Sequence, residues 1–164
     1  MLLMLVLMPL HVLAEEQKMV FFDANGANAG EMDPQIFEPE STGNLKKCAY
    51  TRTGYTFSGW NTNADGTGTS ISEEASVTTL KDYGTNPILY AQWTLVSYKI
   101  TYNLDGGAMP AEKTNPAEYT VATDTFTLNN PERTGYSFRG WEGSGIDGYA
   151  KTFALPIGSL GDRQ

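Results

Sequence analysis

The sequence is poor in the residues that form disulfides, metal sites and catalytic pairs. Cys48 is the single cysteine among 164 residues, so no disulfide can form within the chain, and its neighbours at 46–50 include no partner for a catalytic thiol. We interpret Cys48 as a partly buried small hydrophobe. His11 is the single histidine, and a chain cut after residue 14 would have no Ser-His, Cys-His or histidine-metal site. We therefore predict no enzyme activity, no catalytic residue, no metal and no cofactor.

Basic residues are scarce as well. Lys and Arg total 11 against 19 Asp and Glu, which gives a net charge of -8. Nucleic acids and anionic membranes are bound by clusters of Lys and Arg, and the sequence has no such cluster. We therefore predict no nucleic-acid partner and interpret the acidic surface as a solubility feature of a secreted chain.

Long apolar runs are missing apart from residues 1–14, M-L-L-M-L-V-L-M-P-L-H-V-L-A, which are followed at once by Glu15 and Glu16. This run is short for a membrane-spanning helix, but it matches the hydrophobic part of a secretory signal with Val12 and Ala14 before the cut. No basic residue precedes it, so the signal is truncated or the start codon lies upstream. A buried core strand or helix is the alternative. We predict a signal peptide at 1–14, secretion, and no membrane insertion once the signal is removed.

Helix-forming runs of Ala, Leu, Glu and Lys are also missing. Thr, Tyr, Val and Phe recur instead in short stretches between Gly, Asn, Asp and Pro, which is typical of strands joined by turns. One segment of nine residues does occur twice, and we refer to it as the repeated phrase. R-T-G-Y-T-F-S-G-W at 52–60 and R-T-G-Y-S-F-R-G-W at 133–141 agree at seven of nine positions.

The similarity extends upstream, where residues 20–27 align with residues 100–107. A period of about 80 residues is right for a small domain in tandem. We predict a first module at 18–94 and a second module at 97–164.

Comparison of the two copies separates core positions from surface positions. Apolar residues recur at every second place in both copies, at Val20, Phe22 and Ala24 and at Ile100, Tyr102 and Leu104. Because side chains alternate between the faces of a strand, we expect these six to face inward and Phe21 to be exposed.

The repeated phrase predicts a turn followed by a strand. Gly54 and Gly135 can take a positive φ, after which the Tyr and Phe of each copy fall on one face, at Tyr55 and Phe57 and at Tyr136 and Phe138. Trp60 and Trp141 break the alternation. A bulge at Gly59 or Gly140 would return each indole to the buried face. We expect Tyr, Phe and Trp to form the core of each module.

The segment after Trp60, N-T-N-A-D-G-T-G-T, has Asn61, Asn63, Asp65 and Gly66 at the spacing of the first half of a calcium loop. The twelfth position is Ser72 instead of Glu, so we interpret the segment as an Asp-Gly hairpin turn. Asp65 and Glu73 could be considered as a glycosidase pair, but turn and cap roles explain them.

Two further elements complete the first module. Ser72 is a candidate N-cap of a short helical element within 71–80, because Glu73 and Glu74 follow it. The apolar pattern of residues 88–93 then predicts a strand with Leu89, Ala91 and Trp93 on one face.

In order and spacing, V-F-F-D-A-N-G, R-T-G-Y-T-F-S-G-W-N-T-N-A-D-G-T-G-T and L-Y-A-Q-W resemble the internalin B-repeat, also called the Listeria-Bacteroides repeat. The resemblance covers the first module and nearly all of the second. It implies a β-rich α+β fold of two tandem β-grasp-like modules, each with a small mixed sheet and at most a short helical element. It also implies a secreted or wall-attached bacterial surface protein that acts as a stalk or adhesive segment, without catalysis.

The second copy departs from this pattern because the sequence ends with I-G-S-L-G-D-R-Q, where a strand like 89–93 would follow. We therefore predict that the second module lacks its last strand and that strand pairing with another chain can occur there. We also expect the separated second module to unfold at a lower midpoint than the first.

Two functions remain after these exclusions. The chain is a stalk or adhesion module that contacts a protein or glycan of a host or neighbouring cell, or it is a carbohydrate-binding module that stacks sugars on exposed aromatics. Candidate aromatics for the second function are Tyr83, Tyr98, Tyr119 and Tyr149. For the stalk or adhesion function, the sequence does not identify the binding residues.

Overall fold

The computed structural model describes residues 16–164. The predicted signal peptide, its cleavage site and His11 lie outside the described residues. The elements are β1 (Lys18–Asp23), β2 (Gln35–Phe37), β3 (Tyr55–Asn61), β4 (Ser70–Ile71), a 3₁₀ helix (Val77–Leu80), β5 (Ile88–Leu95), β6 (Tyr98–Lys99), β7 (Glu118–Tyr119), β8 (Phe126–Thr127), β9 (Trp141–Gly143), β10 (Ile146–Ala150) and β11 (Ala154–Leu155).

The described residues form two compact units. One contains the chain up to Gly26 with Gly30–Tyr50 and Ser58–Gln92, and the other contains Ala27–Ala29, Thr51–Phe57 and Trp93–Gln164. The module boundaries at 94 and 97 stay a prediction.

The largest sheet belongs to the first module and has the strand order β2-β1-β5-β3-β4. β1 pairs with β2 in antiparallel and with β5 in parallel orientation, so the sheet is mixed. Three two-stranded sheets, β6-β7, β8-β11 and β9-β10, account for the other paired strands. The predicted β-rich fold with a mixed sheet and a short helical element is confirmed.

The predicted alternation is confirmed at Val20 and Phe21, while the other five residues expected to face inward are half-buried, namely Phe22, Ala24, Ile100, Tyr102 and Leu104. In β1, Val20 is fully buried and Phe21 is 36% exposed. In β5, Leu89 and Ala91 are both 0% exposed. The buried face of the sheet carries Val20, Leu89 and Ala91. The rest of the buried core of the first module consists of Phe37, Leu45, Ile71, Val77 and Leu80.

Each copy of the phrase buries its tryptophan. Gly59 and Gly140 take φ of 130° and 145°, and the indoles that follow are 1% and 8% exposed at Trp60 and Trp141. A positive φ at glycine redirects the strand, so that the next side chain turns inward against the alternation. Each indole contacts an aromatic ring from the upstream segment of its own copy. The centroids lie 4.9 Å apart for Phe22 and Trp60 and 5.7 Å apart for Tyr102 and Trp141.

The prediction that Tyr136 is a core residue is wrong, since it is 67% exposed. In the first module the phrase forms β3 from Tyr55 onward, whereas in the second the strand begins only at Trp141. Without a strand over 136–140, no sheet holds this ring against the core. The Arg133 guanidinium instead stacks 4.0 Å from the centroid of the Tyr136 ring.

The helical element begins later than predicted. Its N-cap is Ser76, whose hydroxyl accepts a hydrogen bond from the N–H of Thr78, and the helix covers Val77–Leu80. Ser72 is therefore not the cap. Glu74 takes a φ of 56°, which is incompatible with a right-handed helix continuing from Ser72.

Candidate functional site

An open groove lies in the second module. It encloses a volume of about 1180 Å³, and one wall consists of residues 100–105. The opposite wall comes from residues 133–144. Its apolar floor is formed by Phe126, Leu128, Phe153 and Leu155. We refer to this feature as the second-module groove.

The floor of the second-module groove is fixed by strand pairing. β8 and β11 are antiparallel, with Phe126 opposite Leu155, and Leu155 is 3% exposed. On the first wall, the Tyr102 hydroxyl donates to the carbonyl of Pro116 at 2.9 Å. Desolvation raises the pKa of this hydroxyl, so Tyr102 is neutral and the wall carries no charge there.

The last residues of the sequence bond to both walls of the groove. Thr101 donates its N–H to the carbonyl of Arg163 at 2.9 Å, and the N–H of Arg163 donates to the carbonyl of Lys99 at 2.8 Å. On the opposite wall, Ser144 donates its N–H to the carbonyl of Gln164 at 2.9 Å. Gln164 thus lies between the two walls.

Two cation-stacked tyrosines lie along the groove. Arg139 stacks 3.8 Å from the ring centroid of Tyr149, which is 45% exposed. Arg133 covers Tyr136 in the same way and approaches the Asp105 carboxylate at 4.0 Å. The first module repeats the arrangement with Arg52 over Tyr55 at 4.0 Å. The sequence signal for two of these pairs is an Arg three residues before a Tyr, at Arg52 and Tyr55 and at Arg133 and Tyr136, whereas Arg139 and Tyr149 are far apart in sequence.

The four candidate sugar-stacking tyrosines are not gathered into one site. Tyr119 is 3% exposed and donates its hydroxyl proton to the carbonyl of Gly161, so its prediction as an exposed platform is wrong. The Tyr98 ring packs on Tyr119 with centroids 5.5 Å apart, and Tyr83 is half-buried. Of the four, Tyr149 is exposed and lines the groove.

The calcium-like segment is a turn stabilised by its own side chains. Asn61 is 1% exposed, and its amide donates to the carbonyls of Gly66 at 3.1 Å and Gly68 at 3.3 Å. The carboxylate of Asp65 accepts from the hydroxyl of Thr67 at 2.7 Å and from its N–H at 3.0 Å. These bonds lower the pKa of Asp65, with the hydroxyl contributing most. β3 and β4 pair on either side, with Asn61 opposite Ser70, as expected of a hairpin.

Glu73, the other carboxylate of the considered pair, has a structural contact of its own. It accepts a hydrogen bond from the N–H of Cys48 at 3.0 Å. Among residues 16–164, no group of three or more His, Cys, Asp or Glu side chains is arranged to hold a metal ion.

Replacing Asn61 by aspartate is expected to lower the free energy of unfolding by about 3 kcal/mol, because the buried amide donors are lost and a carboxylate would face carbonyl oxygens. Urea unfolding followed by circular dichroism measures this change. Asn63→Asp is the matched control, since the Asn63 side chain is exposed and its amide donates to the exposed hydroxyl of Thr67. Equal losses for the two variants would contradict the role given to Asn61.

Cys48 is half-buried, as predicted. Burial raises the pKa of its thiol most, a backbone hydrogen bond with Tyr50 lowers it, and the Glu73 carboxylate raises it. Because the thiolate is the reactive form, we expect iodoacetamide to alkylate the folded chain at neutral pH about tenfold more slowly than free cysteine. Mass spectrometry of timed samples gives the rate. Unfolding in urea should restore the rate of free cysteine, and an equal rate in the folded chain would refute the expectation.

Comparison with known proteins identifies the family. In the described part of the chain, no helix is long and apolar enough to cross a membrane. No solved structure matches this chain. A protein of Evansella cellulosilytica named "Putative Gly-rich membrane protein" is 32% identical over 126 residues, which are 74% of this chain but 14% of that protein. The model of the Listeria-Bacteroides repeat domain matches residues 19–92 and again residues 98–154. The chain therefore belongs to the Listeria-Bacteroides repeat family, whose domains occur as repeats in bacterial surface proteins.

Proposed function

We propose that this chain is a non-catalytic protein of the bacterial cell surface, acting as a stalk or as an adhesion module that contacts another protein. The observation that carries this proposal is the duplicated core. Each family match contains its own buried tryptophan, Trp60 or Trp141, which contacts an aromatic ring from the start of the same match. Repetition of a self-supporting unit lengthens a chain without creating a reactive centre.

Three finer points belong to the same proposal. Each repeat has a β-grasp-like fold, which the mixed sheet of the first module supports. The apolar run at 1–14 directs the chain to secretion or to the cell envelope. The partner is a protein or glycan on a host or neighbouring cell, because a surface stalk places its contacts outside the producing cell.

Localisation on intact cells tests the proposal. An antibody against residues 15–90 is expected to label unpermeabilised cells of the native host, or to detect the chain in the culture medium. A cytoplasmic protein expressed in the same cells is the control for leakage. Labelling that appears only after lysis would overturn the surface assignment.

Carbohydrate binding is the second candidate, and the exposed, cation-stacked ring of Tyr149 favours it. An aromatic face held in place by a guanidinium can stack on a sugar ring. A glycan screen of the purified chain should then show saturable binding that Tyr149→Ala abolishes. Tyr83→Ala is the matched control because this tyrosine is half-buried and does not line the groove. If no glycan binds in the screen, carbohydrate binding is contradicted and the stalk or adhesion role stands.

A further inference from the structure

The outer face of the first-module sheet carries an apolar patch. Val20 is 0% exposed on the inner face, so the residues on either side of it in β1 point outward. Met19 lies opposite Ile36 in the β1–β2 pair, and Phe21 lies opposite Ile88 in the β1–β5 pair. Residues directly opposite each other share a face of the sheet. We refer to Met19, Phe21, Ile36 and Ile88 as the outer patch, in which Met19 is half-buried and the other three are exposed.

An acidic residue lies at each end of the outer patch. Asp23 is exposed and follows Phe21 by two positions in β1. At the other end, Glu38 accepts a hydrogen bond from the side-chain amide of Gln17 at 2.7 Å. From Gln17 to Asp23 the chain extends roughly 20 Å. The outward-facing residues of β1, β2 and β5, all of which the structure describes, include no Lys or Arg. The patch is therefore an apolar strip between two negative charges.

The second module shows that the fold does not require an apolar patch at this place. Residues 17–23 align with residues 97–103, and β6 pairs with β7 as β1 pairs with β2. Lys99, Thr101 and Glu118 take the places of Met19, Phe21 and Ile36. Because the same strand pair forms with polar residues, its formation does not account for the apolar ones. Exposed apolar residues that the fold does not need indicate a contact surface.

The acidic ends are absent from the second module as well. Asn103 takes the place of Asp23, and Thr120 takes the place of Glu38. The turn after the strand does not need a carboxylate. The side-chain oxygen of Asn103 accepts from the backbone N–H two residues later at 3.0 Å, as that of Asp23 does at 2.8 Å. Negative charge at these two positions is thus a property of the first module.

The dimensions of the outer patch fit one helix. Its three strands, β2, β1 and β5, cover a width of roughly 10 Å, which is the diameter of an α-helix. Its length of roughly 20 Å corresponds to about 13 helical residues. The face of a sheet offers side chains and no free backbone groups, so it suits a partner whose backbone hydrogen bonds are internal.

A second copy of the chain fits the outer patch less well. Two copies would bring the same acidic ends together. Four partly exposed side chains also offer far less than the roughly 800 Å² that each partner buries in a stable dimer. Negative charge at both ends favours a partner with positive charge at both ends.

We propose that the outer patch binds an amphipathic helix of another protein, with apolar residues along one side and Lys or Arg near both ends. The apolar side of the helix covers the four patch residues, and its basic residues lie near Asp23 and Glu38. This proposal rests on the adhesion function proposed above and gives the chemistry of the protein partner.

The probe is a synthetic helical peptide of about 18 residues, with leucine at every third or fourth position and lysine at both ends. Titration of the purified, ¹⁵N-labelled chain with this peptide should give saturable binding. The amides of Met19, Phe21, Ile36 and Ile88 are expected to shift. The amides of Lys99, Thr101 and Glu118 are the internal control and should keep their positions.

Charge reversal tests the acidic ends. A peptide with glutamate in place of the terminal lysines should bind about tenfold more weakly, because attraction at both ends becomes repulsion. In the chain, Asp23→Asn with Glu38→Gln should reduce this difference between the two peptides to about twofold. Asparagine is the residue that the second module carries at the position of Asp23, so the turn is expected to form.

A triple variant tests the apolar residues. Met19→Lys, Phe21→Thr and Ile36→Glu give the first module the outer residues of the second, and the affinity for the lysine peptide should fall about a hundredfold. Lys and Glu would lie opposite each other, as Lys99 and Glu118 do, so the strand pair is expected to form. Circular dichroism checks the fold. Phe21→Thr alone, with an expected loss of about tenfold, replaces the triple variant if the latter does not fold.

Several outcomes would overturn the proposal. They are the absence of saturable binding, equal affinity for the two peptides, and affinity that the triple variant retains. A dimer in sedimentation that the triple variant abolishes would assign the patch to a second copy instead, and binding to phosphatidylcholine vesicles that it abolishes would assign the patch to a membrane. A chain that is labelled on intact cells but does not bind the peptide contradicts this proposal alone. Peptide binding by a chain that is labelled only after lysis contradicts the surface role alone.

Discussion

Replacing Trp60 by alanine is expected to lower the free energy of unfolding by about 3–5 kcal/mol, the range typical of removing a buried tryptophan from a core. The indole is 1% exposed, and it contacts the rings of Phe22 and Tyr50 with centroids 4.9 Å and 6.3 Å away. Phe22 lies in β1 and the Tyr50 hydroxyl donates to its carbonyl at 2.9 Å, so neither ring can readily move in to fill the space. Urea unfolding followed by far-ultraviolet circular dichroism measures the loss.

Phe21→Thr is the control for Trp60→Ala. Phe21 is 36% exposed, and the aligned position in the second module is Thr101. Surface replacements that suit a strand change stability by about 0.5 kcal/mol or less. If the two variants lost similar stability, the Trp60 indole would not be the centre of the first-module core.

Gly30→Ala is the second substitution with a large expected effect, a loss of about 3 kcal/mol or more. Gly30 has a φ of +90°, and an added Cβ would lie 2.1 Å from the carbonyl oxygen of Ala49. That oxygen is part of the backbone, so no side-chain rotation relieves the clash, and the 28–30 and 49–51 segments must separate. Chemical denaturation again gives the free energy.

Gly84→Ala separates the clash from the strain of a positive φ. Gly84 has a φ of +74°, but nothing lies within 4 Å of the Cβ that alanine would add. The expected loss is about 1 kcal/mol, from the left-handed conformation alone. An equal loss at both glycines would show that the close approach at Gly30 can relax.

Local patterns predicted the features that depend on neighbours along the chain. Period-two alternation placed Val20 inside and Phe21 outside, because a strand fixes the direction of each side chain. Duplication of the phrase predicted that Trp60 and Trp141 lie in the cores. The glycine before each indole takes a positive φ, which turns the indole inward. Half-burial of Cys48 followed from the usual behaviour of a free cysteine.

Features that depend on distant residues were not predictable in the same way. Tyr136 has the same local sequence as Tyr55, yet it is exposed because no strand forms at 136–140. Tyr119 is buried through a bond with Gly161, which is 42 residues away. Nothing in the sequence around either tyrosine encodes these contacts.

The candidate groove was partly accessible from the sequence. Internal alignment placed residues 100–107 and 133–141, which both contribute to its lining, in one module. It did not give the cavity, its apolar floor at Phe126 and Leu155, or the register set by Thr101 and Arg163. These require the pairing of β8 with β11, two elements of two residues each that are too short to show a pattern.

Parallel pairing of β1 with β5 has a consequence for a chain placed under tension. These are the first and last strands of the first module, and Phe21–Asp23 lies beside Ile88–Tyr90. A pull on the two ends slides the strands along each other and loads their hydrogen bonds in shear, so that the bonds must break together. In a chain that acts as a tether, the first module would therefore resist extension until these hydrogen bonds break together.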